Sequence, residues 1–366
     1  MGFKPHQHEG KILGLAAFGN PKKANKDISK MISFDKKNNC FKGNFEKGIY
    51  IAKFNNANLN FLKKKYSRED ISAGAQSVLE NVVLKFVNNI KDKNFNLALA
   101  GGVFANVKLN QKLLDLKKVK DIFVYPNMGD GGLSVGTAAL CYYKQRIYKP
   151  KKLNHVYLGP QYTSKEIQKE IKKFKLRYKT PSNPEKIIAK KLSEGKVIAC
   201  FQGRMEFGPR ALGNRSILCQ ATDPSINNWL NKRLKRTEFM PFAPLTLREY
   251  SNKYYKNLPQ NSDRAKFMTL TFNCTRLMLK QSPAAVHVDK TARPQIIDKK
   301  TNLTLYKILK EYNRIIGIPN IINTSFNMHE EPIVCSPKDA LRAFIDSKID
   351  FLFIGKFIIS NNENSL

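Results

Sequence analysis

The 366-residue chain has 64 Lys and Arg against 29 Asp and Glu, a formal net charge of +35 at pH 7. Its length predicts two domains, and no segment is long and apolar enough to span a bilayer. The six cysteines are widely spread without a CxxC pair, which favours free thiols in a reducing cytoplasm over a disulfide framework or zinc site. Because lysine dominates along the whole chain without an aromatic–basic repeat, the charge favours attraction of anionic substrates, and nucleic-acid binding is the weaker alternative.

The first block of the chain, residues 1–148, alternates helices, strands and glycine turns. Apolar residues at helical spacing predict a long amphipathic helix over residues 71–90. Two short strands are predicted at 97–100 and 122–125, each followed by a glycine turn and a helix, the helices beginning near residues 106 and 133. This alternation predicts an α/β layer.

The second block, residues 149–366, follows a predicted linker at 148–162, which has two prolines and little periodicity. Either Thr163 or Ser164 is a predicted N-cap for the next helix. The apolar pattern then predicts helices over 185–193, 223–234, 303–315 and 337–345 and strands over 197–201, 267–272, 318–322, 351–353 and 357–359.

The most informative segment of the second block is Gln202–Leu218, which we call the arginine loop. It follows the strand at 197–201 and places three arginines and a glutamate among three glycines: Arg204, Arg210, Arg215 and Glu206. Arginine offers a planar fork that matches phosphate and carboxylate, and glycine lets the backbone approach oxygen atoms closely. The segment therefore predicts a site for a phosphorylated or acidic ligand. A solvated loop with scattered charges is the less favoured alternative, because apolar residues lie between the charges.

Three more polar clusters follow, each beside an apolar strand or helix. They contain Lys235 and Arg236, then His287, Asp289, Arg293 and Gln295, and finally Asn323, Ser325 and Asn327. Short polar side chains at a strand end can hold a small planar group by hydrogen bonds. Taken singly, each cluster is equally well explained as a structural loop. Taken together, they predict one cleft that holds several phosphates.

The first block has two glycine turns that point to a nucleotide. Gly101, Gly102 and Asn106 lie where a strand gives way to a helix, so backbone N–H groups there can face a phosphate or a ribose. Asp130 lies in the second turn, NMGDGG, where it can bind a metal, orient a hydroxyl group or cap the next helix. Two such turns at corresponding strand ends favour a nucleotide site over two plain turns.

At these residues the chain resembles the O-carbamoyltransferases of nodulation-factor and antibiotic biosynthesis. The resemblance covers nearly all of the chain in family order and rests on HEGKILGLAAFG (8–19), GGVFANVKLN (101–110), GDGGLSVGTA (129–138), GRMEFGPRALGNRSIL (203–218), MPFAP (240–244), HVDKTARPQ (287–295) and NTSFN (323–327).

The resemblance implies an α/β chain whose second domain is α+β. Residues 1–148 would be the C-terminal half of an actin/sugar-kinase-like domain, and residues 149–366 a threonylcarbamoyl-adenylate-synthase-like domain. The second domain would form carbamoyl-adenylate from carbamoyl phosphate and ATP. The first would transfer the carbamoyl group to a hydroxyl of a small molecule or glycan.

The resemblance also assigns roles to residues. Arg210, Arg215, His287 and Arg293 would act in catalysis by neutralising phosphate charge, together with Arg204. The implied carbamoyl- and nucleotide-binding residues are Glu206, Lys235, Arg236, Asp289, Gln295, Asn323, Ser325, Asn327, Gly101, Gly102 and Asn106.

One departure from the family concerns a metal site. Family members have a longer first domain, in which two histidines of an HxxxH pair and an aspartate bind a metal. Asp130 matches the aspartate, but no HxxxH occurs in this chain, so a Mg or Fe site is expected to be incomplete. A truncated gene, a split enzyme with a separate N-terminal half and a decayed paralogue all remain open. The functional alternatives are a tRNA-modification or nucleic-acid-binding component, or a non-catalytic half.

Overall fold

The computed structural model describes residues 1–4, 7–44, 59–146, 152–236 and 239–361. It is a mixed α/β structure, as predicted, and its contacts divide it into two compact units. Unit 1 comprises Met1–Val124 with Glu238–Met240, and unit 2 comprises Tyr125–Thr237 with Pro241–Leu366. The predicted domain boundary between residues 148 and 149 lies outside the described residues. No helix within the described ranges is long and apolar enough to cross a membrane.

Unit 1 is built around one long helix. Its helices are α1 (Glu9–Ala16), α2 (Pro21–Ile28), α3 (Asn60–Lys65), α4 (Arg68–Asn89) and α5 (Val107–Leu114). The predicted helix is α4, which begins where the Ser67 side chain accepts a hydrogen bond from the Asp70 N–H at 3.1 Å. The apolar face of α4 packs against α2 around Ala24, Ile71 and Val78. A Cβ at Gly74 would lie 2.9 Å from the Ala24 Cβ, so glycine allows this close helix approach.

Unit 1 also has two small sheets. The predicted strands are β3 (Phe95–Leu99) and β4 (Val119–Val124), which pair in parallel. An antiparallel hairpin of β1 (Ile32–Asp35) and β2 (Cys40–Gly43) was not predicted. Its strands have only four residues each and are largely exposed. The alternation of β1, ISFD, is too short to distinguish a strand from a loop in the sequence.

Unit 2 is centred on a seven-stranded mixed sheet with the strand order β10-β7-β11-β6-β5-β12-β13. These strands are β5 (Ile198–Phe201), β6 (Arg215–Gln220), β7 (Ala243–Leu247), β10 (Gln295–Ile297), β11 (Asn320–Ser325), β12 (Phe351–Ile354) and β13 (Phe357–Ser360). The pairs β7–β10 and β5–β12 are parallel, and the other neighbouring pairs are antiparallel.

The helices of unit 2 are α6 (Leu133–Lys144), α7 (Ser164–Lys173), α8 (Pro184–Ser193), α9 (Ser225–Arg233), α10 (Ser251–Tyr254), α11 (Arg276–Gln281), α12 (Leu303–Ile316) and α13 (Pro337–Ser347). Of the two predicted N-cap candidates, Thr163 caps α7, in a capping box with Glu166, and Ser164 is the first residue of the helix. Helices α8 and α12 share a core with the sheet that includes Ile188, Leu218, Ile308 and Phe353.

The strand predicted over 267–272 is largely wrong. Only a two-residue pairing of β8 (Phe272–Asn273) with β9 (Thr291–Ala292) forms there. Met268 has a φ of +56°, which no extended strand contains. The run is apolar because it is buried as an irregular segment: Phe267 and Met268 pack into a cluster with Leu212 and Val156. Apolar sequence alone does not distinguish such a segment from a strand.

Candidate functional site

The arginine loop lies at one end of the central strands of the unit 2 sheet. It connects β5 to β6, which are antiparallel neighbours, and Phe201 pairs directly with Arg215. The chain therefore leaves β5 and enters β6 at the same end of the two strands. The last residues of the predicted loop, from Arg215 on, form β6, one of the central strands of the sheet.

Glu206 is turned inward and organises the backbone of the loop. Its side chain is only 4% exposed, and its Oε1 accepts hydrogen bonds from the N–H groups of Leu212 at 2.7 Å, Asn214 at 2.7 Å and Arg215 at 3.2 Å. Burial raises the pKa of Glu206, and the backbone N–H donors oppose that rise. The carboxyl group therefore provides the acceptor for three backbone N–H groups of the loop.

Arg215 is fully buried and is bonded to backbone. Its guanidinium donates to the carbonyl oxygens of Gln202 at 2.6 Å, Asn214 at 3.1 Å, and Pro160 and Gly203 both at 3.3 Å. It also lies 3.6 Å from the centroid of the Phe201 ring. Burial lowers the pKa of Arg215 to about 10, so it keeps its charge at neutral pH. Direct contact of Arg215 and Glu206 with substrate stays a prediction, and the contacts described here shape the loop itself.

Arg204 and Arg210 are placed differently from Arg215. The Arg204 side chain is exposed and its Nη2 donates to the Leu158 carbonyl at 2.8 Å, while Arg210 is half-buried. Between these two arginines and β6, the backbone turns at Gly213, whose φ is +115°. A Cβ at this position would overlap Leu305 Cδ1 and lie 3.0 Å from Leu305 Cγ. Glycine at 213 is therefore required by both backbone conformation and space.

A chain of amide hydrogen bonds joins the arginine loop to two of the other predicted clusters. Gln295 Nε2 donates to the Leu212 carbonyl at 2.8 Å, and Asn323 Nδ2 donates to Gln295 Oε1 at 2.6 Å. Asn323 Nδ2 also lies 3.4 Å from the Ala211 carbonyl. Because a backbone carbonyl can only accept, its contact with Gln295 sets the orientation of both amides. The fold thus brings Gln295 and Asn323 to the loop, as the prediction of one cleft requires.

Arg236 docks onto the segment that begins with Asn323. Its Nη2 donates to the Ser325 carbonyl at 2.9 Å, the Ser325 Oγ at 3.2 Å, the Asn327 carbonyl at 2.8 Å and the Asn327 Oδ1 at 2.7 Å. Its Nη1 donates to Thr324 Oγ1 at 3.2 Å. Two clusters separated by nearly ninety residues therefore form a single group at the end of β11. Lys235, the neighbour of Arg236, is exposed and has a φ of +55°.

The segment from His287 to Arg293 forms a turn of its own. The His287 ring is buried, with Nδ1 3.4 Å from Asp289 Oδ1. Asp289 Oδ1 also accepts from the Thr291 N–H at 3.0 Å and the Thr291 hydroxyl at 2.6 Å. Arg293 is half-buried two residues before Gln295. Phosphate contact by His287 and Arg293 stays a prediction.

Two residues that were not predicted from the sequence also form hydrogen bonds with the loop. Tyr157 OH donates to the Leu212 carbonyl at 2.9 Å, and Asn302 Nδ2 donates to Tyr157 OH at 3.2 Å and to Asn214 Oδ1 at 2.9 Å. The signal available for Asn302 was its position as the N-cap of α12. Tyr157 lies in the stretch predicted as a linker. From residue 152 on, that stretch is described, and its residue Val156 is buried and accepts the Phe207 N–H at 2.7 Å.

The predicted nucleotide turn in unit 1 is open at its glycines. Gly101 has a φ of +113°, and nothing lies within 4 Å of a Cβ built at Gly101 or Gly102. Asn106 caps α5 by accepting the Leu109 N–H at 3.0 Å, and its Nδ2 donates to Gln76 Oε1 at 2.7 Å. The exposed turn can admit a ligand, but the Asn106 side chain is already held by protein. Nucleotide binding here stays a prediction.

Asp130 lies at the start of a short 3₁₀ helix, Asp130–Gly132, and is exposed. Within the described ranges, no group of three His, Cys, Asp or Glu side chains is arranged to hold a metal. The residues described here therefore do not make up a metal site around Asp130. A metal at Asp130 stays a prediction, and no step proposed below depends on it.

Comparisons with known proteins agree with the resemblance found in the sequence. The carbamoyltransferase N-terminus family matches residues 1–139, and the carbamoyltransferase C-terminus family matches residues 189–361. The uncharacterized proteins MJ1058 and MJ1051 of Methanocaldococcus jannaschii are 37% and 35% identical to the chain, over 98% of its length in each case. The nodulation protein NolO of Bradyrhizobium diazoefficiens is 30% identical over 98% of the chain.

The chain spans only part of these relatives: 60% of MJ1058, 70% of MJ1051 and 66% of NolO. Among solved structures, the crystal structure of full-length HypF in the phosphate- and nucleotide-bound form is 21% identical, with a TM-score of 0.35. That match covers 49% of this chain and 22% of HypF. The two family matches together cover most of both units, and the chain therefore belongs to the carbamoyltransferase family.

Proposed function

We propose that unit 2 activates a carbamoyl group as carbamoyl-adenylate and that the group then passes to a hydroxyl of a small molecule or glycan. Hydrolysis of carbamoyl phosphate gives carbamate and phosphate. A carbamate oxygen attacks the α-phosphorus of ATP, and pyrophosphate leaves. The acceptor hydroxyl oxygen attacks the carbamoyl carbon, AMP leaves with the bonding electron pair, and the hydroxyl proton passes to solvent. Free carbamate is short-lived, so a site that excludes water favours its capture.

The observation that carries this proposal is the convergence of four separate segments at one end of the unit 2 sheet. The arginine loop contacts Gln295 and Asn323, and Arg236 contacts Ser325 and Asn327. Amide and hydroxyl groups suit the small planar carbamoyl group, and guanidinium groups suit phosphate. Both kinds of group therefore occur in the region that matches the carbamoyltransferase C-terminus family.

We assign two kinds of role to the arginines. Arg204, Arg210 and Arg293 contact phosphate, because the first is exposed and the other two are half-buried. Arg215 positions the loop, because its guanidinium donates to backbone carbonyls at four points. Fixed positive groups of the first kind stabilise charge that develops on the phosphates as pyrophosphate leaves.

The test is exchange of labelled pyrophosphate into ATP by the 366-residue chain. Label should enter ATP only when carbamoyl phosphate is present, because carbamate is the group that attacks ATP. No exchange by folded protein would refute adenylation. Exchange without carbamoyl phosphate would mean that another carboxylate is adenylated.

Arg210→Ala should lower the exchange rate at least tenfold, which corresponds to ~1.4 kcal/mol of transition-state binding. Arg314→Ala is the matched control, since Arg314 lies on α12, is exposed and pairs with Glu311. A loss below tenfold for Arg210→Ala would remove Arg210 from the site.

We also propose that the reaction takes place in the cytoplasm, because all six cysteines are free thiols and three of them are buried in the core. The family assignment does not favour the alternative of a tRNA-modification or nucleic-acid-binding component. The acceptor is proposed only as a class, a hydroxyl-bearing small molecule or glycan.

A further inference from the structure

A cavity of about 830 Å³ lies in unit 1, where the turn between β1 and β2 meets the end of α4. Its lining residues are Lys36, Lys37, Asn39, Asn89, Ile90 and Lys91. The volume falls within the range of sites for small molecules. Three of these six residues are lysines and none of the six is aromatic or acidic, so the lining offers no ring for a nucleobase and no carboxylate for a cation. Such a lining suits a small anion.

The three lysines are not neutralised by carboxylates of the described residues. All three are exposed, and none of them forms an ion pair there. Asp35, at the end of β1, pairs with Lys42 and accepts from the N–H groups of Lys37 at 2.9 Å and Asn38 at 3.1 Å. Asp92 follows Lys91 in the chain but is not among the lining residues. The cavity therefore has three uncompensated positive charges.

Asn89 holds the two walls of the cavity together. Its Nδ2 donates to Asn39 Oδ1 at 3.0 Å and lies 3.4 Å from the Lys36 carbonyl oxygen. Because Asn39 Oδ1 accepts that bond, Asn39 Nδ2 is the donor that remains, and no described residue accepts from it. The bond to Asn89 thus places one neutral donor beside the three ammonium groups.

A fourth lysine neutralises the end of α4. The C-terminal carbonyl groups of a helix carry partial negative charge, which disfavours an anion nearby. Lys118 Nζ donates to the Asn88 carbonyl at 3.0 Å and also to the Ile90 carbonyl. These carbonyls are therefore already bonded to a cation, and the helix end opposes an anion in the cavity much less.

We propose that this cavity binds an inorganic oligophosphate, such as pyrophosphate, whose adjoining phosphate groups contact the three ammonium groups and Asn39 Nδ2. A lysine ammonium is a compact point charge that binds phosphate oxygen well. Three such groups match a ligand with several negative charges better than a single phosphate. The site differs from the predicted nucleotide turn, because Lys91 precedes β3 and Gly101 follows it, and β3 is about 15 Å long. The proposal does not rest on the proposed reaction.

The experiment measures the acetylation of individual lysines in the 366-residue chain by an N-hydroxysuccinimide ester, resolved by mass spectrometry. The probe is pyrophosphate at physiological ionic strength without a divalent cation. A bound phosphate favours the ammonium form of a lysine, which does not attack the ester. We expect Lys36, Lys37 and Lys91 to react about tenfold more slowly, with one common half-saturating concentration.

Lysines outside the cavity are the control for general attraction, because the chain has a net charge of +35. Lys22 and Lys26 on α2 and Lys64 on α3 are exposed and belong to the same unit. Their acetylation rates should not change. Arg210→Ala should not change the protection at the cavity either, since Arg210 lies in unit 2. This variant separates the cavity from the phosphate site of the proposed reaction.

Asn39→Gly is the decisive variant. It leaves the net charge unchanged, and glycine adopts the φ of +50° found at this position without strain. Loss of one hydrogen bond should raise the half-saturating concentration of pyrophosphate about fivefold. Asn94→Gly is the matched control, because Asn94 is also exposed, has a φ of +58° and does not line the cavity. This control should bind pyrophosphate as the wild type does.

Four results would overturn the proposal. The first is no protection of the three lysines at millimolar pyrophosphate, and the second is equal protection of lysines inside and outside the cavity. The third is an Asn39→Gly variant that binds as tightly as Asn94→Gly, which would mean that charge alone attracts the ligand. The fourth is protection by tRNA but not by pyrophosphate, which would make the cavity part of a nucleic-acid surface. All readouts are independent of catalysis, so failure of the proposed reaction does not affect them.

Discussion

Replacing Arg215 with methionine should lower the free energy of unfolding of unit 2 by about 4 kcal/mol. The guanidinium donates at 2.6 Å and 3.1 Å to two carbonyls and at 3.3 Å to two more. Loss of a hydrogen bond from a charged group costs ~1.5–3 kcal/mol when it leaves a buried partner without a donor. Stacking of a desolvated guanidinium on a ring such as Phe201 adds ~2 kcal/mol. Counting only the two shorter bonds at the lower figure gives ~3 kcal/mol, and the ring stacking brings the sum to ~5 kcal/mol. The apolar methionine side chain fills much of the same space and recovers ~1 kcal/mol of this sum.

The assay is urea unfolding followed by tryptophan fluorescence. Trp229, the single tryptophan of the sequence, lies on α9 of unit 2, so the signal reports that unit. Arg215→Lys is the matched variant. It keeps the charge but cannot reach four carbonyls with one ammonium group, so we expect roughly half the loss. A loss below about 1 kcal/mol for Arg215→Met, or equal losses for both variants, would refute the assignment of Arg215 to the framework of the loop.

Two further predictions concern the same loop. Burial raises the pKa of Glu206, so the folded chain holds this proton more tightly than the unfolded chain; its contribution to stability is full below the unfolded pKa of about 4.3 and is lost as pH rises through the folded pKa. Relative to Glu206→Gln, wild-type stability should therefore fall as the pH rises above about 4.3, and a rise of stability with pH in urea experiments would contradict this sign. Gly213→Ala should cost about 3 kcal/mol because of the positive φ and the overlap with Leu305, whereas Gly317→Ala, where φ is +74° and nothing lies within 4 Å of the new Cβ, should cost about 1 kcal/mol. Similar melting temperatures for the two alanine variants would show that Leu305 moves aside.

Local patterns predicted most of the helices correctly. The period of apolar residues predicted α4, and the pair Thr163 and Ser164 predicted the start of α7, because helix periodicity and caps depend on residues only a few positions apart. The strands were harder. β7 and β10 were not predicted, since they have five and three residues and are buried throughout, so no polar alternation marks them.

The sequence by itself determined that the arginine loop is an unusual segment and that the chain resembles carbamoyltransferases, and it predicted that several polar clusters form one site. The tertiary structure decided where the charged groups of that loop lie and what they contact within the protein. Arg215 lies inside because β5 and β6 pair side by side and place it against Phe201, while Glu206 turns toward the loop backbone. Such roles depend on pairing between strands and segments that are far apart in the chain, as when Asn323 reaches Gln295 and the loop. No local pattern of residue types contains that information.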